Sequence, residues 1–83
     1  MITKEQEYFA IRKGSDIEQS VIQKYAKGIK PTTIHGIDIY IGGKKTVVVS
    51  PFFTTMFREG LINDEYMENL ERRAKLEEEK NNL

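Results

Sequence analysis

Residues 37–62, IDIYIGGKKTVVVSPFFTTMFREGLI, form the densest run of large apolar side chains in the 83-residue chain, and their spacing decides the fold. Ile37, Ile39 and Ile41 alternate with Asp38 and Tyr40 at the two-residue period of a half-buried strand. Thr46 to Val49 follow as a β-branched run, and Gly42-Gly43 marks the turn of a hairpin. Directly paired residues share a face, so the register can be tested against the pattern. A two-residue loop at Gly42-Gly43 sets Ile39 opposite Thr46 and scatters the valines over both faces. A three-residue loop, Gly42-Gly43-Lys44, sets Ile39 by Val47 and Ile37 by Val49 on one apolar face, with Tyr40 by Thr46 and Asp38 by Val48 behind it. The pattern favours this second register. Two strands alone are marginal in water, so the apolar face must be covered by helices, further strands or another copy of the chain.

Outward from the hairpin the chain reads as helices. Thr3 and Gln6 form a capping box for a short helix over Lys4 to Lys13, presenting Tyr8, Phe9 and Ile11 and stopped by Gly14. Ser15 and Glu18 form a second capping box, and Ile17, Val21, Ile22, Tyr25 and Ala26 keep one-face helical spacing until Gly28 and Pro31, which predicts a helix over 16–27. After the hairpin, Ser50-Pro51 supplies an N-cap residue and a proline at the first helical position. Phe52, Phe53, Met56 and Phe57 make two i,i+4 apolar pairs on this third helix, which Gly60 ends. Asn63 caps a fourth helix with Asp64 and Glu65 in its first turn and a stripe of Tyr66, Met67, Leu70 and Ala74. Glu68 with Arg72 and Glu71 with Lys75 are i,i+4 ion pairs, each contributing about 0.2–0.5 kcal/mol when exposed. The expectation is an α+β domain over 1–76 in α-α-β-β-α-α order, one antiparallel hairpin packed on helices, with 77–83 a polar, fraying tail. Gly60-Leu61-Ile62 is expected to fold the last helix back, with Leu61 and Ile62 against Ile37, Ile39, Val47 and Val49.

The stretch MFREGLINDEYMENLERRAKL, residues 56–76, resembles the short C-terminal SHOCT domain. Gly60, Leu61, Ile62, Asn63, Asp64, Glu65 and Tyr66 match its pattern in order, whereas Glu68, Glu71 and Glu77 to Glu79 depart from its usual lysine-rich second helix. The resemblance implies a small oligomerisation or interaction element of the kind found in bacterial and mobile-element proteins.

Composition narrows the function classes. Charged residues make up 31% and hydrophobic ones 39%, which is globular rather than disordered. The chain has no cysteine, which excludes disulfides and thiolate metal sites and points to a reducing, cytoplasmic setting. Charges interrupt the N-terminus where a signal peptide needs its apolar region. Net charge is zero, but residues 1–58 hold nine Lys or Arg against five Asp or Glu, and 59–83 hold four against eight. His35 is the single histidine and no nucleophile–base pattern accompanies it or Asp38, so no catalytic residue, metal site or cofactor is expected, and the chain reads as non-enzymatic.

Two surfaces remain as candidates. Phe52, Phe53, Met56, Phe57 and Tyr66 present an aromatic and methionine-bearing face that either packs on the hairpin or binds a protein partner or a second copy. This favours a protein-interaction or oligomerisation module, an accessory or inhibitory protein of a bacterium or phage. Lys24, Lys27, Lys30, Lys44, Lys45 and Arg58, with Tyr25 or Tyr40 as a stacking ring, form the alternative: a small regulator or sequestering protein that binds nucleic acid or a nucleotide through phosphates. No membrane partner is expected.

Overall fold

A computed structural model describes residues 7–81. The elements run β1 (Tyr8–Arg12), α1 (Glu18–Tyr25), β2 (Thr32–Ile34), β3 (Ile37–Tyr40), β4 (Thr46–Ser50), α2 (Phe53–Arg58) and α3 (Asp64–Asn81). The four strands form one mixed sheet in the order β1-β4-β3-β2, with β1 parallel to β4 and the other pairs antiparallel. The class is α+β, but the order corrects the sequence expectation: the first element within the described residues is a strand, and a further strand precedes the hairpin. The Thr3–Gln6 capping box and the start of the expected first helix at Lys4 lie outside the described residues.

Why residues 8–12 pair as a strand follows from their partners. Tyr8 and Ala10 pack on one side of the sheet and Phe9 and Ile11 on the other, so both faces of YFAIR are used. A helix would bury only one stripe. The parallel register sets Phe9 beside Val47 and Ile11 beside Val49, and the ladder is prolonged by Thr46 N–H to the Glu7 carbonyl (2.9 Å) and Lys13 N–H to the Ser50 carbonyl (2.9 Å).

β4 is central and all five of its residues are buried, the pattern of a strand covered on both faces. Ile39 pairs with Val48 and Tyr40 with Val47, one residue away from the expected register. The connection between the two strands therefore spans residues 41–45 rather than the expected three residues. The longer loop leans on the C-terminal end of α1, where Lys44 N–H donates to the Tyr25 carbonyl (3.1 Å), one of the acceptors a helix end leaves open. In this register Ile34, Ile37, Ile39 and Val48 face one way, with Met56, Met67, Leu70 and Ala74 over them, while Ile11, Val47, Val49 and Tyr40 face the other, with Val21 and Ala26 over them. The expected single apolar face of Ile37, Ile39, Val47 and Val49 is thus two faces, each with its own helical cover.

Local signals act much as their chemistry requires. β2 and β3 join through His35 (φ 53°) and Gly36 (φ 83°), the doubly left-handed pair of a two-residue hairpin turn. α1 lies within the expected 16–27, but the capping box is altered: Glu18 Oε1 accepts from Gly14 N–H (2.7 Å), and the Ser15 hydroxyl has no partner among the described residues. Ser50 Oγ accepts from Phe52 N–H (2.9 Å) as a cap does, while regular helix begins at Phe53. At the other end Leu61 N–H reaches the Met56 carbonyl (2.8 Å) and Gly60 N–H the Phe57 carbonyl (3.1 Å), with Gly60 at φ 77°, so α2 closes in a Schellman motif. Asn63 Oδ1 then caps α3 through Tyr66 N–H (2.9 Å). Leu61 and Ile62 are half-buried against the cluster of Ile37 and Ile39, and not against Val47 or Val49.

Candidate functional site

α3 is anchored to the sheet by polar bonds as well as apolar packing. Glu71, expected to pair with Lys75, turns inward instead: Tyr8 donates to its Oε1 and Thr46 to its Oε2, both at 2.8 Å. A buried carboxylate needs such donors to offset its lost hydration. Burial first, and then the hydrogen bond to Glu71, push the Tyr8 phenol well above its usual range. Further along, Thr32 Oγ1 donates to Glu78 Oε2 (2.9 Å), which ties the helix beyond Leu76 to the edge strand β2. Glu68 and Arg72 form the expected i,i+4 pair at 3.8 Å.

This anchoring sets α3 alongside α2 and the β2–β3 turn with a trough between them. One cavity of about 690 Å³ is floored by Ile37, Met56 and Leu70, edged by Phe52, Tyr66 and Leu76, and carries His35, Asn69, Arg72 and Arg73. A second, of about 360 Å³, shares His35, Arg73 and Leu76 with it and adds Ile34, Glu77 and Lys80. Of the residues expected on the aromatic face, Phe52, Met56 and Tyr66 meet here. Phe53 and Phe57 stack on each other instead, with ring centroids 6.3 Å apart. The aromatic face packs on the sheet only in part: Met56 is buried, but Phe52 is 52% and Phe57 67% exposed. Six residues give the helix too few turns to bury both of its apolar pairs. His35, Arg73 and Leu76 were missed by the sequence reading, although the alternation TTI-HG-IDIY marks the His35-Gly36 turn that brings β2 to the trough.

The basic candidates gather only in part. Lys24 and Lys45 lie 5.4 and 5.3 Å from the centre of the Tyr25 ring, and Lys44 meets the Tyr25 carbonyl through its N–H. Lys45 is also paired with Glu7 at 2.7 Å, a hydrogen bond that raises its pKa. Lys27 and Lys30 are exposed in the connection to β2. Arg58 belongs to α2, whose Met56 packs on the opposite face of the sheet from Tyr25. Tyr40, expected as an exposed stacking ring, is 9% exposed, and burial raises its pKa. It packs with Val47 and Val49 because the sheet carries α1 on that face. Asp38, on the same face, accepts from Lys13 (3.1 Å) and Thr33 (2.6 Å).

Among the described residues no three His, Asp or Glu side chains gather as a metal site, and no helix is long and apolar enough to cross a membrane. Comparison with family models, with curated proteins and with solved structures returns no match for this chain.

Proposed function

We propose that the protein is a non-enzymatic interaction module that docks a protein partner, or a second copy of itself, through the trough between α2, α3 and the β2–β3 turn. The observation that carries this reading is the placement of exposed apolar side chains: of the four large ones among the described residues, Phe52 at the start of α2 and Leu76 on α3 line the trough, and Phe57 lies on α2 outside it. Solvent-exposed apolar surface concentrated beside a concave groove is the usual mark of a docking site. The helix–turn–helix of residues 56–76, the stretch similar to SHOCT modules, supplies α3 and much of the wall, in keeping with the interaction role those modules imply. A small accessory or inhibitory protein of a bacterium or phage, acting in the cytoplasm by occluding or tethering its target, fits this reading.

Photo-crosslinking tests it. A photoreactive amino acid in place of Leu76 should give defined adducts that disappear with Phe52→Ser, whereas the same group in place of Lys27 should not. Equal labelling from both positions, or none from position 76, would count against the trough.

The polyanion-binding reading has one supporting observation, the placement of Lys24 and Lys45 about the Tyr25 ring, with the backbone of neighbouring Lys44 bonded to the Tyr25 carbonyl. Titration with mixed DNA and RNA at low salt decides it: Lys24→Ala/Lys44→Ala should weaken binding and lower its salt dependence if phosphates are the target.

A further inference from the structure

We propose that the trough takes an acidic amphipathic helix of a partner protein, with apolar side chains seated against Phe52, Met56 and Leu76 and carboxylates paired with Arg73, Arg72 and Lys80. This rests on the docking reading above and names the chemistry of the partner. Charge is sorted along α3. The helix carries seven Asp or Glu against four Lys or Arg, yet the charged residues lining the trough are Arg72, Arg73 and Lys80 against Glu77 alone. Glu71 is turned into the core and Glu78 onto Thr32, so two of the remaining carboxylates are committed elsewhere. An acidic helix thus offers a cationic edge to the trough.

Arg73 is the centre of that edge. It lines both cavities and makes no ion pair or hydrogen bond among the described residues, whereas Arg72 is held by Glu68 and Asn69. A guanidinium beside apolar walls is suited to a two-pronged bond with a carboxylate. From Tyr66 to Lys80 the trough follows α3 for about 21 Å at 1.5 Å per residue, the length of a docked helix of about four turns with anchors at i, i+3, i+4 and i+7. A basic helix would oppose Arg73 with like charge. A small amphiphilic acid would fill the larger cavity and leave Lys80 unused.

A display library of helical peptides about 14 residues long, apolar at i, i+3, i+4 and i+7 and free elsewhere, selected on the full chain, tests the proposal. The expected result is enrichment of Asp and Glu at the free positions, binding weakened about tenfold by Arg73→Glu, and recovery on that variant when the peptide acids are changed to lysine. Arg73→Gln, removing the charge without reversing it, should weaken binding less; unchanged urea midpoints of both variants would show that the fold is kept. Selected peptides with no acidic enrichment that nevertheless depend on Leu76 would overturn the acidic partner and leave the docking reading standing. Binding of sodium decanoate with no peptide selected would overturn it in favour of a small amphiphile. Peptides indifferent to Phe52→Ser, Leu76→Ser and Arg73→Glu alike would overturn both readings.

Discussion

The two faces of the sheet are covered to different degrees. Under α1, Val47, Val49, Tyr40 and Ile11 are sealed by Val21 and Ala26, and Ile17 at the start of the helix is the large apolar side chain left half-exposed. Under α2 and α3, Ile39 and Val48 are as fully buried, but the helices stand apart and leave Phe52, Phe57 and Leu76 in solvent. On the first face a single helix, with Ile29 just after it, closes over the strands. Where two helices share a face, the gap between them is available for a partner. The finished core and the exposed apolar side chains therefore occupy different depths of the same layer.

The sharpest way to break the comparison is to damage the layer that both faces share. Ile39, with no exposed surface, should lose about 2–5 kcal/mol as Ile39→Ala, with Val47→Ala on the opposite face costing a comparable amount per methyl group removed, both read from urea denaturation. If either substitution is nearly neutral, the corresponding face is not packed as described. Adding a methyl group tests the loop that joins the faces: a Cβ at Gly43 would run into the Tyr25 carbonyl oxygen, and Gly43→Ala should cost about 1–3 kcal/mol. A smaller loss, about 1 kcal/mol, is expected for Asn63→Ala, which removes the cap that starts α3 against the trough.

Alkaline pH separates the faces through one tyrosine on each. Tyr8 and Tyr40 both hold their protons to higher pH in the folded protein than the ordinary phenol pKa of 10.0. Their contribution is therefore fully present below about pH 10 and is lost as pH rises above it, because the unfolded chain releases these protons first. Urea midpoints measured from pH 8 to 11 should fall at the top of that range, less steeply for Tyr8→Phe and for Tyr40→Phe. A midpoint that stays level to pH 11 would contradict the burial of both rings.

Much of this was legible in the residues. The α2–α3 corner is local grammar, a left-handed glycine followed by an N-cap asparagine, and its hydrogen bonds are those the spelling requires. Strand β1 was not legible as such, since Tyr8, Phe9 and Ile11 fit one stripe of a helix as well as two faces of a strand, and the parallel partner that decides between them lies nearly forty residues away. The same missing partner shifted the hairpin register: TVVVS is a run for a strand buried on both sides, and pairing it as half of a two-stranded hairpin demanded a solvated face that the sheet lacks. For the site, the aromatic residues were visible and Arg73 was not. A cation in a mixed-charge helix acquires meaning only when the turn at His35 comes to lie beside it.

The smallest expected effect is the most direct test. The double substitution Phe52→Ser/Leu76→Ser removes two half-exposed walls of the trough, and denaturation in urea should place it within about 0.5 kcal/mol of the unaltered chain, as for surface positions. That result, together with the loss of crosslinks from the trough, is what a docking surface laid over a finished core predicts. A loss of several kcal/mol would mean that these side chains are core in solution and that the trough is closed.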